Sequence, residues 1–198
     1  MRRTGAPRSF RHLALASLLG AVLTIASVAA PAAHAADPGP ALLTNVEVQD
    51  MGTFDRVTFD FRTTICIDQP CTPPVNPLPV IVRAEYVDPP VLADPSGQPV
   101  PVAGGAVLQL VMSNASGVDL SVNPPEVTYT GPTRIEANLP NVTEVVETGD
   151  FEAVLSWAIG VRSGAGGRTA QVLTLPTRVV VDIPHVVTPV VASPSFTG

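Results

Sequence analysis

The stretch Arg56-Val57-Thr58-Phe59-Asp60-Phe61-Arg62 decides the fold. Val57, Phe59 and Phe61 point one way and Thr58 and Asp60 the other, the two-residue period of a strand with one apolar and one polar face. The same alternation places Val80, Val82, Ala84 and Tyr86 on one face, with Arg83 and Glu85 opposite. Working outward, strands are expected at Val46 to Gln49, Ala106 to Met112, Val127 to Thr130, Arg134 to Ala137, Asn141 to Val146, Phe151 to Gly160, Gln171 to Leu175 and Arg178 to Ile183. Breakers separate them: the Pro-dense run Pro70 to Pro79, the loop opened by Pro89-Pro90, and turns at Gly104-Gly105, Gly131-Pro132 and Gly149-Asp150. A chain with 22 Pro and little helical periodicity favours sheets joined by irregular loops. Each apolar face needs a covering layer, which implies a sandwich or a partly closed barrel; the expected fold is all-β, an antiparallel β-sandwich with Pro-rich loops. Phe151, Ala153, Leu155, Trp157 and Ile159 are expected to share a face. That makes Trp157 a core residue on a central strand, the competing reading being a platform for stacking carbohydrate.

The N-terminus reads differently. Arg2, Arg3, Arg8 and Arg11 precede an uncharged apolar run, Leu13 to Ala30, and Ala33-His34-Ala35 follows as an A-x-A site. This is the pattern of a helical signal peptide over 1–35, cleaved between Ala35 and Ala36; an uncleaved anchor is the alternative, because the run approaches the length of a membrane span. After cleavage no stable membrane insertion is expected. The remaining chain is read as a linker at 36–41, one domain at 42–186 and a flexible tail at 187–198.

Removing the leader changes the charge balance. There is no Lys, and four of the eleven Arg leave with residues 1–35, so seven Arg face 17 acidic residues. Such a surface repels phosphate backbones, and no concentrated basic patch offsets it, which excludes nucleic acid as a partner. Lys-dependent Schiff-base and phosphate chemistry are excluded too. Cys66 and Cys71 stand in a C-x4-C pair. They are read as a disulfide closing a tight local loop in an oxidising compartment, since no set of about four N/S ligands exists for zinc. No metal and no cofactor are expected.

Catalytic chemistry is sparse. After the leader, His185 is the one histidine, and no G-x-S-x-G elbow accompanies it as a triad base. Glu144, Glu147, Asp150 and Glu152 cluster in sequence and are formally available for glycoside hydrolysis, although acids beside turns are normally solvated. Ser163 to Arg168 is Gly-rich but lacks the Lys-Ser/Thr ending of a phosphate loop, and reads as a hairpin loop. Asn114-Ala115-Ser116 and Asn141-Val142-Thr143 match the short glycosylation sequon, a pattern common by chance.

The order of the motifs is more informative than any one of them. Asp55-Arg56-Val57-Thr58-Phe59-Asp60-Phe61, Arg83-Ala84-Glu85-Tyr86-Val87, and Ser96 to Gly104 with Leu108-Gln109-Leu110-Val111 come first. Tyr129-Thr130-Gly131-Pro132, Gly149-Asp150-Phe151-Glu152-Ala153, Trp157-Ala158-Ile159-Gly160-Val161 and Pro176-Thr177-Arg178-Val179-Val180-Val181-Asp182 follow. From Leu42 to His185 the chain resembles the actinobacterial AMIN-like domain, a relative of the AMIN domains that accompany cell-wall amidases. The resemblance implies a secreted or envelope-retained binding module with no hydrolytic centre, its partner a cell-wall glycan such as peptidoglycan or an envelope protein. The competing class is a small carboxylate-dependent hydrolase of wall polysaccharide. Asp55, Arg56, Arg178 and Asp182 match motif positions of the family, implying an Arg-carboxylate pairing between the first and last strands that either binds ligand or fixes strand pairing. Tyr86 and Tyr129 are further candidates, because a phenol can stack on a sugar while its polar end stays wet. The stretch Thr64 to Pro79 with its Cys pair looks like an elaboration of the hairpin usual in that family.

Overall fold

A computed structural model of the protein describes residues 39–62, 80–162 and 169–185. The leader with its Ala35/Ala36 cleavage site, the Cys66/Cys71 pair, the Gly-rich stretch 163–168 and the tail 187–198 lie outside the described residues.

The described chain is all strand and loop. Its elements are β1 (Ala41–Asp50), β2 (Phe54–Arg62), β3 (Ile81–Val87), β4 (Val91–Leu92), β5 (Pro99–Val100), β6 (Ala106–Ser113) and β7 (Ala115–Ser116). They continue with β8 (Val118–Asp119), β9 (Glu126–Val127), β10 (Arg134–Glu136), β11 (Val142–Phe151), β12 (Val154–Val161), β13 (Gln171–Leu175) and β14 (Arg178–Pro184). Two five-stranded sheets result, in the orders β13-β14-β2-β1-β7 and β10-β11-β12-β6-β3, with the ribbons β4-β5 and β8-β9 outside them. The long pairings are antiparallel; the short β1-β7 contact, Ala41 with Ala115 and Leu42 with Ser116, is parallel.

The alternation in β2 has the expected consequence. Val57, Phe59 and Phe61 are buried, and with Val179, Val181 and Ile183 of β14 they meet Leu108, Leu110 and Met112 of β6 and Leu155, Trp157 and Ile159 of β12 in one core. This is the interior of a two-sheet sandwich. Trp157 is 0% exposed and sits at the centre, edge-on to Phe59 at 5.6 Å and to Tyr129 at 5.7 Å between ring centroids. It is therefore a core residue, and the carbohydrate-platform reading is set aside.

The loop 88–105 packs on the outer face of the second sheet. Val91, with Val87 and Val102 beside it, covers Val107 and Ala158 in a small second core. Gly160 permits this approach: a Cβ there would stand 1.9 Å from the Ala103 carbonyl oxygen and 2.6 Å from Thr143 Oγ1. The loop is tied down as well. Asp94 N–H donates to the Thr148 carbonyl at 2.8 Å, Thr143 Oγ1 donates to the Ala103 carbonyl at 2.5 Å, and Ala103 N–H donates to Glu144.

Three sequence expectations are corrected. Phe151 to Gly160 is not one strand: Phe151 ends β11, and a two-residue turn at Glu152 and Ala153, with φ of 50° and 58°, precedes β12. Gly149-Asp150, expected to be a turn, runs inside β11 beside a register shift between Glu147 and Gly149. A bulge and a left-handed turn built from non-Gly residues carry no turn signature in the sequence, so the Gly-Asp pair drew the assignment to itself. Of Val127 to Thr130, only Val127 is paired, as part of β9 with Val118 opposite.

Candidate functional site

The polar face of the first sheet is a regular grid. Because β13, β14 and β2 are in continuous register and β1 joins them from Asn45 to Asp50, side chains two residues apart line up in rows across the strands. One row is Gln171, Asp182, Arg56 and Gln49; the next is Leu173, Val180, Thr58 and Glu47; the third is Leu175, Arg178, Asp60 and Asn45. The outer rows hold ion pairs of opposite polarity. Arg56 donates to both Asp182 oxygens, at 2.7 and 2.8 Å, the paired fork geometry that Arg and carboxylate favour. Arg178, its side chain half exposed at 49%, reaches Asp60 at 2.9 Å. Hydrogen bonding to Asp182 raises the pKa of Arg56 further, so it stays charged at any working pH.

Sequence reasoning anticipated an Arg-carboxylate pairing between the first and last strands. The structure assigns the partners differently in part: Asp182 takes Arg56, Arg178 takes Asp60, and Asp55 leaves this face altogether. Asp55 is 0% exposed. Its Oδ2 accepts the backbone N–H groups of Asn141 at 2.6 Å and Val142 at 2.7 Å, and its Oδ1 faces His185 Nε2 at 2.7 Å. His185 Nδ1 in turn lies 3.1 Å from the Gly52 carbonyl. Both ring nitrogens therefore face oxygens that can only accept, which is the pattern of an imidazolium donating twice. The hydrogen bond with Asp55 raises the pKa of His185 above its ordinary value, and the Asp50 carboxylate 3.8 Å away adds to the effect.

This arrangement rules on two chemistries. A triad base needs one nitrogen free for a nucleophile's proton; His185 has neither free. Asp50, Asp55 and His185 also bring three potential metal-binding atoms within 4.8 Å of one another. A protonated Nε2 has no lone pair to give, however, and its 2.7 Å contact with Asp55 is a hydrogen-bond length that leaves no room for an ion between them. The group fits a proton rather than a metal.

The two tyrosines diverge. Tyr129 is 8% exposed, packs on Trp157 and donates its hydroxyl to the Pro132 carbonyl at 2.7 Å. Burial, with the Glu147 carboxylate nearby, pushes its pKa up to about 12. It offers no face to a sugar, and that expectation is corrected. Tyr86 instead lines a groove of about 400 Å³ on the open flank of the sandwich, with Val82, Ala84, Ala170 and Val172.

The acidic cluster disperses into structural roles. Glu144 is buried and paired with Arg134 at 2.5 Å. Asp150 accepts from Gly117 N–H at 2.7 Å and Ser116 Oγ at 3.2 Å. Glu147 is half buried, and burial, with Asp150 adding to it, raises its pKa. Glu152 is exposed in the turn. At the opposite end of the sheets, Arg62 clasps Asp119 at 3.0 Å and Glu126 at 3.1 Å. Burial alone would raise the pKa of Asp119, but hydrogen bonds from Ser121 and Arg62 outweigh it and hold the group below its usual range.

A family model for the AMIN-like domain matches residues 41–185. The chain belongs to the AMIN-like domain family. No curated protein and no solved structure matches it. The matched span of this AMIN-like domain begins with the first residue of β1 and ends on His185, so the Asp55-His185 pair joins the first hairpin to the last residue of the match. Sequence reading missed that pair. The partners are 130 residues apart, and His185 stands beside what reads as a tail. The usable clue was Asp55 itself, an acid directly before an alternating strand. Asn141, a sequon residue, is also buried, donating its side-chain N–H to the Pro184 carbonyl at 2.5 Å. Membership of the family fits a cell-wall-associated binding module.

Proposed function

We propose that this AMIN-like domain is an exported, non-enzymatic binding module of the cell envelope, secreted or retained there, with peptidoglycan as its ligand. The observation that carries the reading is the family match across 41–185. The site chemistry supports it: His185 has both nitrogens engaged, and Glu144 and Asp150 are held by internal partners. A wall hydrolase would need two carboxyl groups converging across a cleft, whereas Glu144 is paired with Arg134 and Asp150 accepts from Gly117 and Ser116. The binding face in this reading is the grid on the first sheet. Its exposed Asn45, Glu47 and Gln49 supply hydrogen-bonding groups, and the half-exposed Arg178 guanidinium beside Asp60 supplies a positive charge for the carboxylates of a stem peptide.

Co-sedimentation with purified sacculi tests this. The chain is expected to pellet with sacculi, and Arg178→Ala to pellet less. Retention no greater than that of an unrelated acidic protein would overturn the peptidoglycan reading, leaving an envelope protein as the partner to seek by cross-linking. Export is tested separately: N-terminal sequencing of the secreted chain is expected to start at Ala36, and a membrane-bound product retaining Arg2 and Arg3 would refute cleavage.

A further inference from the structure

A cavity of about 290 Å³ opens at the end of the sandwich where β1 begins and the β11-β12 hairpin turns. That is the small end of the range for ligand sites, about 300 to 1,000 Å³. Its wall is mostly apolar, with Leu42, Val118, Leu120 and Ala153 in it. Leu120 is 76% exposed, the most exposed large apolar side chain among the described residues. The turn residues Glu152 and Ala153 line the cavity as well, and both are held at positive φ, 50° and 58°. L-residues adopt that conformation reluctantly, and such strain gathers where a site needs a particular side chain in place. Asn-Gly would form the turn without strain, but would take the carboxylate and the methyl group out of the wall.

The charges around the cavity select the ligand. Asp119 and Glu152 stand in the wall, Asp150 lies behind Ser116, and Arg62 and Glu126 lie behind Asp119. Four carboxylates therefore surround the cavity against a single guanidinium. Arg62 is taken up by Asp119 at 3.0 Å and Glu126 at 3.1 Å, and Asp119 also accepts from Ser121 N–H at 2.9 Å. Asp150 accepts from Gly117 N–H and Ser116 Oγ. Glu152 is exposed and has no ion pair or hydrogen bond from its carboxylate among the described residues. An anion would meet this surplus of negative charge, whereas a cation with an apolar body meets a free carboxylate and a hydrocarbon wall together.

We propose that this cavity binds a small alkylammonium group, its hydrocarbon body against Leu42, Val118 and Leu120 and its charge beside Glu152. The strained turn then has a purpose, since it holds the one unpaired carboxylate of the wall at the cavity. The sequence contains no Lys, so no side chain of a second copy supplies such a group. The occupant is a foreign amine, either free or carried on the lysine-type side chain of a peptide. None of these residues belongs to the polar grid on the first sheet, so the site stands or falls independently of the peptidoglycan reading.

Titration of the isotope-labelled chain with n-pentylammonium chloride at low salt, followed by amide chemical shifts, tests the proposal. Saturable shifts are expected at Val118, Leu120, Ser121 and Ala153. The uncharged analogue n-pentanol is expected to bind about fivefold more weakly, the upper range for a partly exposed ion pair, and Glu152→Gln to bring the ammonium down to the level of the alcohol. Replacing Glu152-Ala153 by Asn-Gly is expected to weaken binding while raising the midpoint of thermal unfolding, which separates loss of the ligand from loss of the fold. A lysine capped at both ends serves as the second probe: if it binds at least as well as pentylammonium the amine arrives on a peptide, and if pentylammonium alone binds the amine arrives free. No saturable shift with either amine, equal affinity for the alcohol, undiminished affinity in Glu152→Gln, or shifts confined to the grid residues would each overturn the proposal.

Discussion

A single proton on His185 ties the end of β14 to the first hairpin, and its titration sets a direction for stability. The folded-state pKa is raised, chiefly by the hydrogen bond to Asp55, above the ordinary 6.5. The bonus is therefore fully present below 6.5, where the unfolded chain also carries the proton, and is lost as pH rises through the raised value. Urea unfolding is expected to show the wild type losing stability as pH rises above 6.5, and His185→Gln to flatten that dependence. The same slope in His185→Gln would show that another group is responsible. Asp55 carries more than this one contact, since its other oxygen satisfies two buried backbone donors. Asp55→Ala is expected to cost about 3 to 5 kcal/mol, the range for removing one partner of a buried, hydrogen-bonded charge; equilibrium denaturation measures it.

Local geometry carries separate consequences at the scale of elements. The turn joining β11 and β12 places Glu152 and Ala153 at positive φ, which L-residues with a Cβ adopt reluctantly. Replacing the pair by Asn-Gly, the residues this turn prefers, is expected to stabilise the domain by roughly 1 kcal/mol, read as a higher midpoint of thermal unfolding. A lower midpoint would mean that Glu152 makes a contact worth more than the strain. Gly160 is the opposite case. With the Ala103 carbonyl in the space a Cβ would occupy, Gly160→Ala forces the loop 99–105 off the second sheet. A loss of about 1 to 3 kcal/mol is expected, as for other overpacked sites, and amide exchange should quicken first at Ala103, whose N–H bonds Glu144.

For the whole molecule, Trp157 reports on the union of the two sheets. It is the chain's one tryptophan, fully buried against Phe59 from one sheet and Tyr129 from the loop that closes the core. Its emission is expected to be that of an indole shielded from water in the native state, and to shift red in a transition that coincides with the loss of β circular dichroism. Two separated transitions would indicate that the sheets part before they melt. The asymmetry of the sandwich belongs to this scale too. One sheet has its outer face covered by the loop 88–105, and the other presents ion-paired rows on its outer face.

The sequence by itself determined the class of fold. Period-two alternation in β2, β3 and β14 is a local signal, because each strand's apolar face is written in its own residues. The seven motifs in order determined the family for the same reason. Trp157 was legible as core from its apolar neighbours, although the hairpin dividing Phe151 from Val154 was not, because non-Gly residues form it. Only the tertiary structure decided which charges meet. That Arg178 takes Asp60 and Arg56 takes Asp182 depends on the register between β14 and β2, and a shift of one residue would send every side chain to the other face. Long-range packing likewise removed Tyr129 from the candidate site and brought Asp55 to His185. Burial and partnership of that kind belong to residues far apart in the chain, and no window of sequence contains both.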